Sequence, residues 1–234
     1  MPTTRLDRAV IRDLPMFRPL SPEDLDAVLV HAVARRLAPG EAAFRQGEPA
    51  DAFFVLLHGR LKVTQTAADG QQVVVRHVNP GEIFGIARAV RRPDFPGTAE
   101  ALTDSVAIAW PAAEWDALVA RCPGLAVDAL ATVGQRLQDA HTRIRELATE
   151  AVERRVAHAP LRLVRQAGRK TEEGILIDFP VSRQDIAEMT GATLHTVSRL
   201  MAAWEAKGLI ASGRKRVTVR DPHALFMLAE GEGR

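Results

Sequence analysis

The chain has 234 residues, 47% of them apolar, and a formal net charge of +2. This is enough apolar material for one large domain or two modest ones, and it excludes a disordered chain. The one cysteine, Cys122, excludes an internal disulfide framework, a four-cysteine zinc site and a cysteine-ligated iron–sulfur cluster within one chain. No apolar run is long enough to span a bilayer, and the charged start Met1-Pro-Thr-Thr-Arg-Leu-Asp-Arg lacks the apolar centre of a signal peptide. The expectation is a cytoplasmic protein with no membrane partner. Residues 1–150 hold 17 Lys/Arg and 19 Asp/Glu, whereas residues 151–234 hold 14 and 10. The excess positive charge therefore lies in the smaller, C-terminal part. A phosphate backbone attracts such a surface, although a solvated basic face has the same composition.

From Leu37 to Trp110 the chain reads as short strands and tight turns. Val55-Leu-Leu-His-Gly-Arg-Leu-Lys-Val-Thr-Gln-Thr is apolar and β-branched around Gly59. Asp69-Gly70 separates two strand-like runs and signals a hairpin. Val73-Val-Val-Arg-His-Val precedes a turn at Asn79-Pro-Gly-Glu, and Ser105-Val-Ala-Ile-Ala-Trp is stopped by Pro111. Short strands at this spacing predict a small barrel or jelly roll.

Helical periods follow. Ala112 to Arg121 predicts a short helix, and residues 125–150 predict a long one. Its apolar residues Leu130, Val133, Leu137, Ala140, Ile144 and Leu147 fall at spacings of 3, 4, 3, 4 and 3. This is a heptad seam two positions wide, which suits pairing with a second copy better than packing on its own domain. A further helix is predicted over Glu153 to Ala167, closed by Gly168. Residues 171–180 predict a turn and one short strand.

The stretch from Val181 to Ile210 carries the function. Ser182 is an N-cap with Asp185 three residues on, a capping-box spacing. A short helix through Ile186 and Ala187 meets a turn at Gly191. Thr193 caps a second helix whose Val197, Leu200, Met201 and Trp204 form a buried face, and Gly208 ends it. Two short helices about a glycine turn are a helix-turn-helix, whose second helix enters the major groove. Its exposed N-terminal positions are Leu194, His195, Ser198 and Arg199. Leu209 to Val219 reads as two strands around the basic turn Gly213-Arg214-Lys215-Arg216, a wing.

With these motifs in this order, nearly the whole chain resembles the superfamily of the cyclic-AMP receptor protein and the fumarate–nitrate reduction regulator (Crp/Fnr). Arg183-Gln-Asp-Ile-Ala, Gly191, Thr196-Val-Ser-Arg199 and Gly208-Leu-Ile carry the likeness. The resemblance implies an α+β chain: a jelly-roll, cyclic-nucleotide-binding-like sensor domain over 1–122, a dimerisation helix over 123–150 and a winged helix-turn-helix over 151–234. It implies a homodimer on a palindromic site in double-stranded DNA, with RNA polymerase as a further partner. Position by position, Arg199 resembles the family's guanine reader, whose guanidinium donates to O6 and N7. Ser198 resembles a base-contacting serine of the fumarate–nitrate branch. Arg183 and Thr196 resemble phosphate contacts, and Arg214, Lys215 and Arg216 belong to the wing. Two positions depart from the family. His195 stands where Glu is usual, and Leu194 replaces a polar residue and can touch a thymine methyl. A variant half-site is expected.

The sensor half departs further. Cyclic-nucleotide members hold the ribose with a glutamate and the phosphate with an arginine. By alignment Gly85-Ile86-Ala87 and Gly97-Thr98-Ala99 stand in those places, which disfavours cyclic AMP. Arg88, Arg91 and Arg92 stand nearby and offer substitute charge. The N-terminus lacks the cysteines of an iron–sulfur member, and Gly85 and Ala87 are not haem ligands. The stretch from Phe84 through Leu102 resembles the nitrogen-oxide-responsive branch, some of whose members use haem. The expected effector pocket is therefore Phe84, Gly85, Ile86, Gly97 and Thr98, with haem as a candidate cofactor and His31, His58, His77, His141 and His158 as candidate axial ligands. Cys122 is a candidate redox reporter. The competing class is a cupin-like metal enzyme, which needs a His-x-His pair that this chain lacks. No metal site and no catalytic residue are assigned.

Overall fold

Alternation along two central strands organises the N-terminal part of the fold. The computed structural model describes residues 11–231. Eight strands come first: β1 (Val33–Leu37), β2 (Ala42–Phe44), β3 (Ala52–His58), β4 (Leu61–Thr66), β5 (Gln72–Val78), β6 (Ile83–Phe84), β7 (Thr98–Ala101) and β8 (Ser105–Pro111). They form two four-stranded sheets, ordered β1-β8-β3-β6 and β2-β7-β4-β5, with antiparallel pairing throughout. This is the expected jelly roll. The β4–β5 hairpin pairs Thr66 with Gln72 across the Asp69-Gly70 turn.

Side chains two apart on a strand share a face. Phe53 and Val55 of β3 join Ile108 and Trp110 of β8 in a core with Phe17, Leu25, Val28, Leu118 and Leu125. Their neighbours Phe54, Leu56, Ala107 and Ala109 enter a second core with Phe44, Leu61, Phe84, Phe95 and Ala99, contributed by both sheets. The first core is covered by α1 (Pro22–Leu29), α2 (Trp115–Arg121) and the start of α3 (Pro123–Thr149). Trp110 pins α1 by donating from Nε1 to the Val28 carbonyl at 2.8 Å.

The chain divides into two compact units, residues 1–138 and 139–234, so α3 contributes to both. The second unit continues with α4 (Val152–Ala167), β9 (Gly168–Thr171), β10 (Gly174–Ile177), α5 (Arg183–Thr190), α6 (Leu194–Ala206), β11 (Ile210–Gly213), β12 (Arg216–Val219) and α7 (Pro222–Glu230). Its sheet is ordered β11-β12-β10-β9. The strand β9 corrects the expectation of a single strand in this region. Gly-Arg-Lys-Thr has no apolar alternation because β9 is a largely exposed edge. Helix α4 buries Val156, Ala159 and Leu163 and packs against α7 and α5.

Candidate nucleic-acid interface

Local chemistry builds the two helices of the motif. Ser182 Oγ accepts from the Asp185 N–H at 3.1 Å, and Asp185 Oδ2 accepts from the Ser182 N–H at 2.8 Å, a complete capping box at the start of α5. Gly191 then turns the chain at φ +64, in the left-handed region where a side chain strains the backbone. Thr193 caps α6, its Oγ1 accepting from the Thr196 N–H at 3.1 Å.

Helix α6 has two unlike faces. Val197 and Met201 are fully buried and Trp204 nearly so, while Leu200 is only half-buried. On the other face Leu194 is 47% exposed, and His195 and Arg199 are exposed as well. Ser198 and Thr196 are half-buried, and the Thr196 hydroxyl lies 2.9 Å from the capping Thr193 hydroxyl. The four expected base readers thus differ: Arg199, His195 and Leu194 project freely, and Ser198 lies at the edge of the packed face.

The wing stands beside this helix. Strands β11 and β12 are joined by Arg214-Lys215, and Arg214, Lys215 and Arg216 are all exposed. Lys215 holds φ +55, and its carbonyl accepts from the Val181 N–H at 3.0 Å, which ties the wing tip to the segment entering α5. A cleft of about 370 Å³ opens between them, with Arg183, Leu194, Ser212 and Lys215 among its lining residues. Two cations and the first residue of the reading helix therefore share one concave surface, the arrangement a phosphate backbone requires. Arg183 is aimed by residues that spacing alone did not single out. Its Nη2 lies 3.2 Å from Ser212 Oγ and 3.5 Å from Glu205 Oε2, and Glu205 also accepts from the Ser212 N–H at 2.7 Å.

The heptad residues are exposed along α3. Leu130, Val133, Leu137, Ile144 and Leu147 are 74%, 36%, 55%, 64% and 49% exposed, and Ala140 is exposed too. Val127, at 64%, extends the stripe one turn earlier than the heptad spacing places it. Leu147 has a second contact. Its Cδ2 would lie 3.3 Å from a Cβ placed on Gly191, so it covers the turn of the motif.

The apolar side chains of the expected effector pocket are divided between two cores. Gly85 sits at φ +69 against the rings of Phe54 and Phe44, and this bend breaks the strand alternation after Phe84. Phe84 enters the core between the sheets and Ile86 enters the core beneath the helices. A Cβ on Gly97 would meet the Thr64 carbonyl at 2.6 Å, and Thr98 Oγ1 accepts from the Gln46 N–H at 3.0 Å. Between the sheets, Phe44 stacks on Phe95 at 3.9 Å and lies 5.7 Å from Phe54, and Phe54 stacks on Phe84 at 5.0 Å. Aromatic rings thus form a cluster within the core between the sheets.

Of the candidate axial ligands for haem, His77 is the buried one among the described residues. His31, His58 and His141 are exposed, and His158 lies 3.2 Å from Glu150. Cys122 is buried, and its Sγ donates to the Met16 carbonyl at 3.3 Å. Burial pushes its thiol above the ordinary range, which is the opposite of a reactive thiolate. Among the described residues no single helix is long and apolar enough to cross a membrane.

Comparison with known proteins agrees with this architecture. Residues 34–122 match the cyclic nucleotide-binding domain family, and residues 154–228 match the Crp-like helix-turn-helix domain family. The cyclic AMP receptor protein of Thermus thermophilus is 29% identical over 93% of this chain and 97% of its own length. The global nitrogen regulator of Synechococcus elongatus is 30% identical over 80% of this chain and 85% of its own length. A solved CRP-family transcriptional regulator from Thermus thermophilus shares the fold with a TM-score of 0.70 at 27% identity, covering 84% of this chain and 96% of that one. These relatives are regulators rather than enzymes, which removes the cupin alternative. With both domains matched in sequence and order, the chain belongs to the Crp/Fnr family of transcription regulators.

Proposed function

We propose that two copies of this chain pair along α3 and read an inverted repeat in DNA, each placing α6 in the major groove. One observation carries the reading: α6 buries Val197, Met201 and Trp204 on one face, yet presents Leu194, His195 and Arg199 on the other beside a basic wing. Arg199 donates to guanine O6 and N7, His195 donates to a purine acceptor or a phosphate, and Leu194 meets a thymine methyl. Ser198 reads a base at the edge of the packed face. Arg183, Thr196, Arg214, Lys215 and Arg216 hold the phosphates and set register. RNA polymerase is the partner through which such a complex changes transcription, and the chromosomal DNA places the activity in the cytoplasm.

Binding isotherms on specific and scrambled duplexes test this. Arg199→Ala is expected to remove discrimination of about 1–3 kcal/mol at the guanine position. Equal discrimination by wild type and variant overturns the assigned role.

Control enters through the N-terminal unit. A haem-borne nitrogen-oxide stimulus would draw on His77, the one buried histidine among the described residues. Cyclic AMP at the expected positions meets Ile86 and Gly97 in place of a carboxylate and a guanidinium.

A further inference from the structure

The N-terminal unit has a cleft of about 560 Å³, outside the aromatic core. It is lined by Arg88, Arg91 and Arg92, from the turn after β6, and by Ala112, Trp115 and Asp116, from the end of β8 into α2. Three arginines from five consecutive residues line one cleft.

The turn is built to present them. The Ala87 carbonyl accepts from the N–H groups of both Val90 and Arg92, at 3.1 and 2.9 Å, and the Arg91 N–H donates to the Arg88 carbonyl at 2.9 Å. Arg91 closes the turn at φ +57, ψ +34, a left-handed conformation that favours glycine or asparagine. A bulky arginine held there is a strained choice, and strain of this kind collects at ligand sites. Arg92 pairs with Asp94 at 3.1 Å. Among the described residues, Arg88 and Arg91 have no ion-pair partner.

The rest of the lining limits the ligand. Guanidinium groups match phosphate oxygens in pairs, which favours a phosphoryl group over a monovalent anion. A phosphate alone fills only part of this volume. Pro93, Ala112 and Trp115 provide an apolar wall for an organic portion. The Trp115 ring is fixed edge-on against Phe53, with centroids 5.0 Å apart at 87°. Asp116, exposed at the cleft, can accept from hydroxyl groups. We propose that this cleft binds a phosphorylated, hydroxyl-bearing small molecule of nucleotide size or smaller.

Calorimetry on the full-length protein with ADP, ribose 5-phosphate, pyrophosphate and adenosine tests the proposal. No DNA is present, so its failure leaves the DNA-binding reading intact. ADP or ribose 5-phosphate is expected to bind saturably and more tightly than pyrophosphate, with adenosine silent. Arg91→Gly separates site from fold. Glycine relieves the left-handed backbone, so the melting temperature holds or rises, while affinity falls about tenfold through removal of one charge-assisted hydrogen bond. Arg88→Ala is expected to act in the same direction. No saturable binding of any phosphorylated probe overturns the proposal. So does pyrophosphate binding as tightly as the organic phosphates, or affinity unchanged in both variants.

Discussion

Arg143, on α3, donates from Nη2 to the carbonyl of Met189, in the last turn of α5, at 2.7 Å. The end of a helix leaves its last carbonyls without intrahelical partners, and a cation there also suits the helix dipole. Arg155 approaches the adjacent Thr190 carbonyl at 3.4 Å, and Glu146, buried beside Arg143, pairs with Arg162 at 2.7 Å. The helix that carries the apolar seam therefore holds the first helix of the reading motif directly.

Removing that bond is expected to be costly. Arg143→Ala leaves the Met189 carbonyl with one fewer partner, and hydrogen bonds from charged groups contribute roughly 1.5–3 kcal/mol. The denaturation midpoint should fall with an unchanged slope, and DNA affinity should fall with it. A midpoint equal to wild type contradicts the assignment.

Cys122 is expected to be inert in the folded protein. Its thiol is buried and pushed above its ordinary range by desolvation, so thiol reagents at neutral pH should modify it only on unfolding. The same shift fixes a pH dependence. The folded state holds this proton more tightly, so its contribution is complete below the ordinary thiol value and declines as pH rises through the raised folded value. Cys122→Ala should remove that part of the alkaline slope, as measured by denaturant unfolding from pH 7 to 10. Rapid modification of the native protein contradicts an inert, buried thiol.

The wing should govern salt dependence rather than specificity. Replacing Arg214, Lys215 and Arg216 together with alanine is expected to weaken binding to specific and random duplexes alike. The salt slope should fall by about 1 for each phosphate that the wing no longer neutralises. Selective weakening at the specific site alone points instead to base reading by the wing.

An absorption spectrum of the freshly purified protein is expected to lack a Soret band. A stoichiometric band that disappears in His77→Ala, the variant of the one buried histidine among the described residues, would instead assign a haem to the N-terminal unit.

The helix-turn-helix is legible in the sequence because its determinants are local. A cap at Ser182, a left-handed glycine at 191, a second cap at Thr193 and a two-residue basic turn each lie within a few residues of what they control. Hairpins of the jelly roll are legible for the same reason. Pairings such as β1 with β8, which join Val33 to Ala109, depend on closure of the whole sheet. The edge strand β9 shows no apolar alternation because it buries nothing. Phe84 and Ile86, two apart in sequence, enter different cores because the bend at Gly85 breaks the alternation that spacing alone predicts. The support of Arg183 by Glu205 spans a distance in sequence that no periodicity marks.

Selection of duplexes from a random pool by the full-length protein is the most direct test of paired reading. The expected product is an inverted repeat with half-site centres about one helical turn, or roughly 10 base pairs, apart, bound by two protomers. Leu137→Asp with Ile144→Asp, on the exposed seam of α3, should yield a monomer that enriches nothing. Enrichment of an asymmetric site by a single protomer, or an inverted repeat still selected by the seam variant, would contradict paired reading through α3.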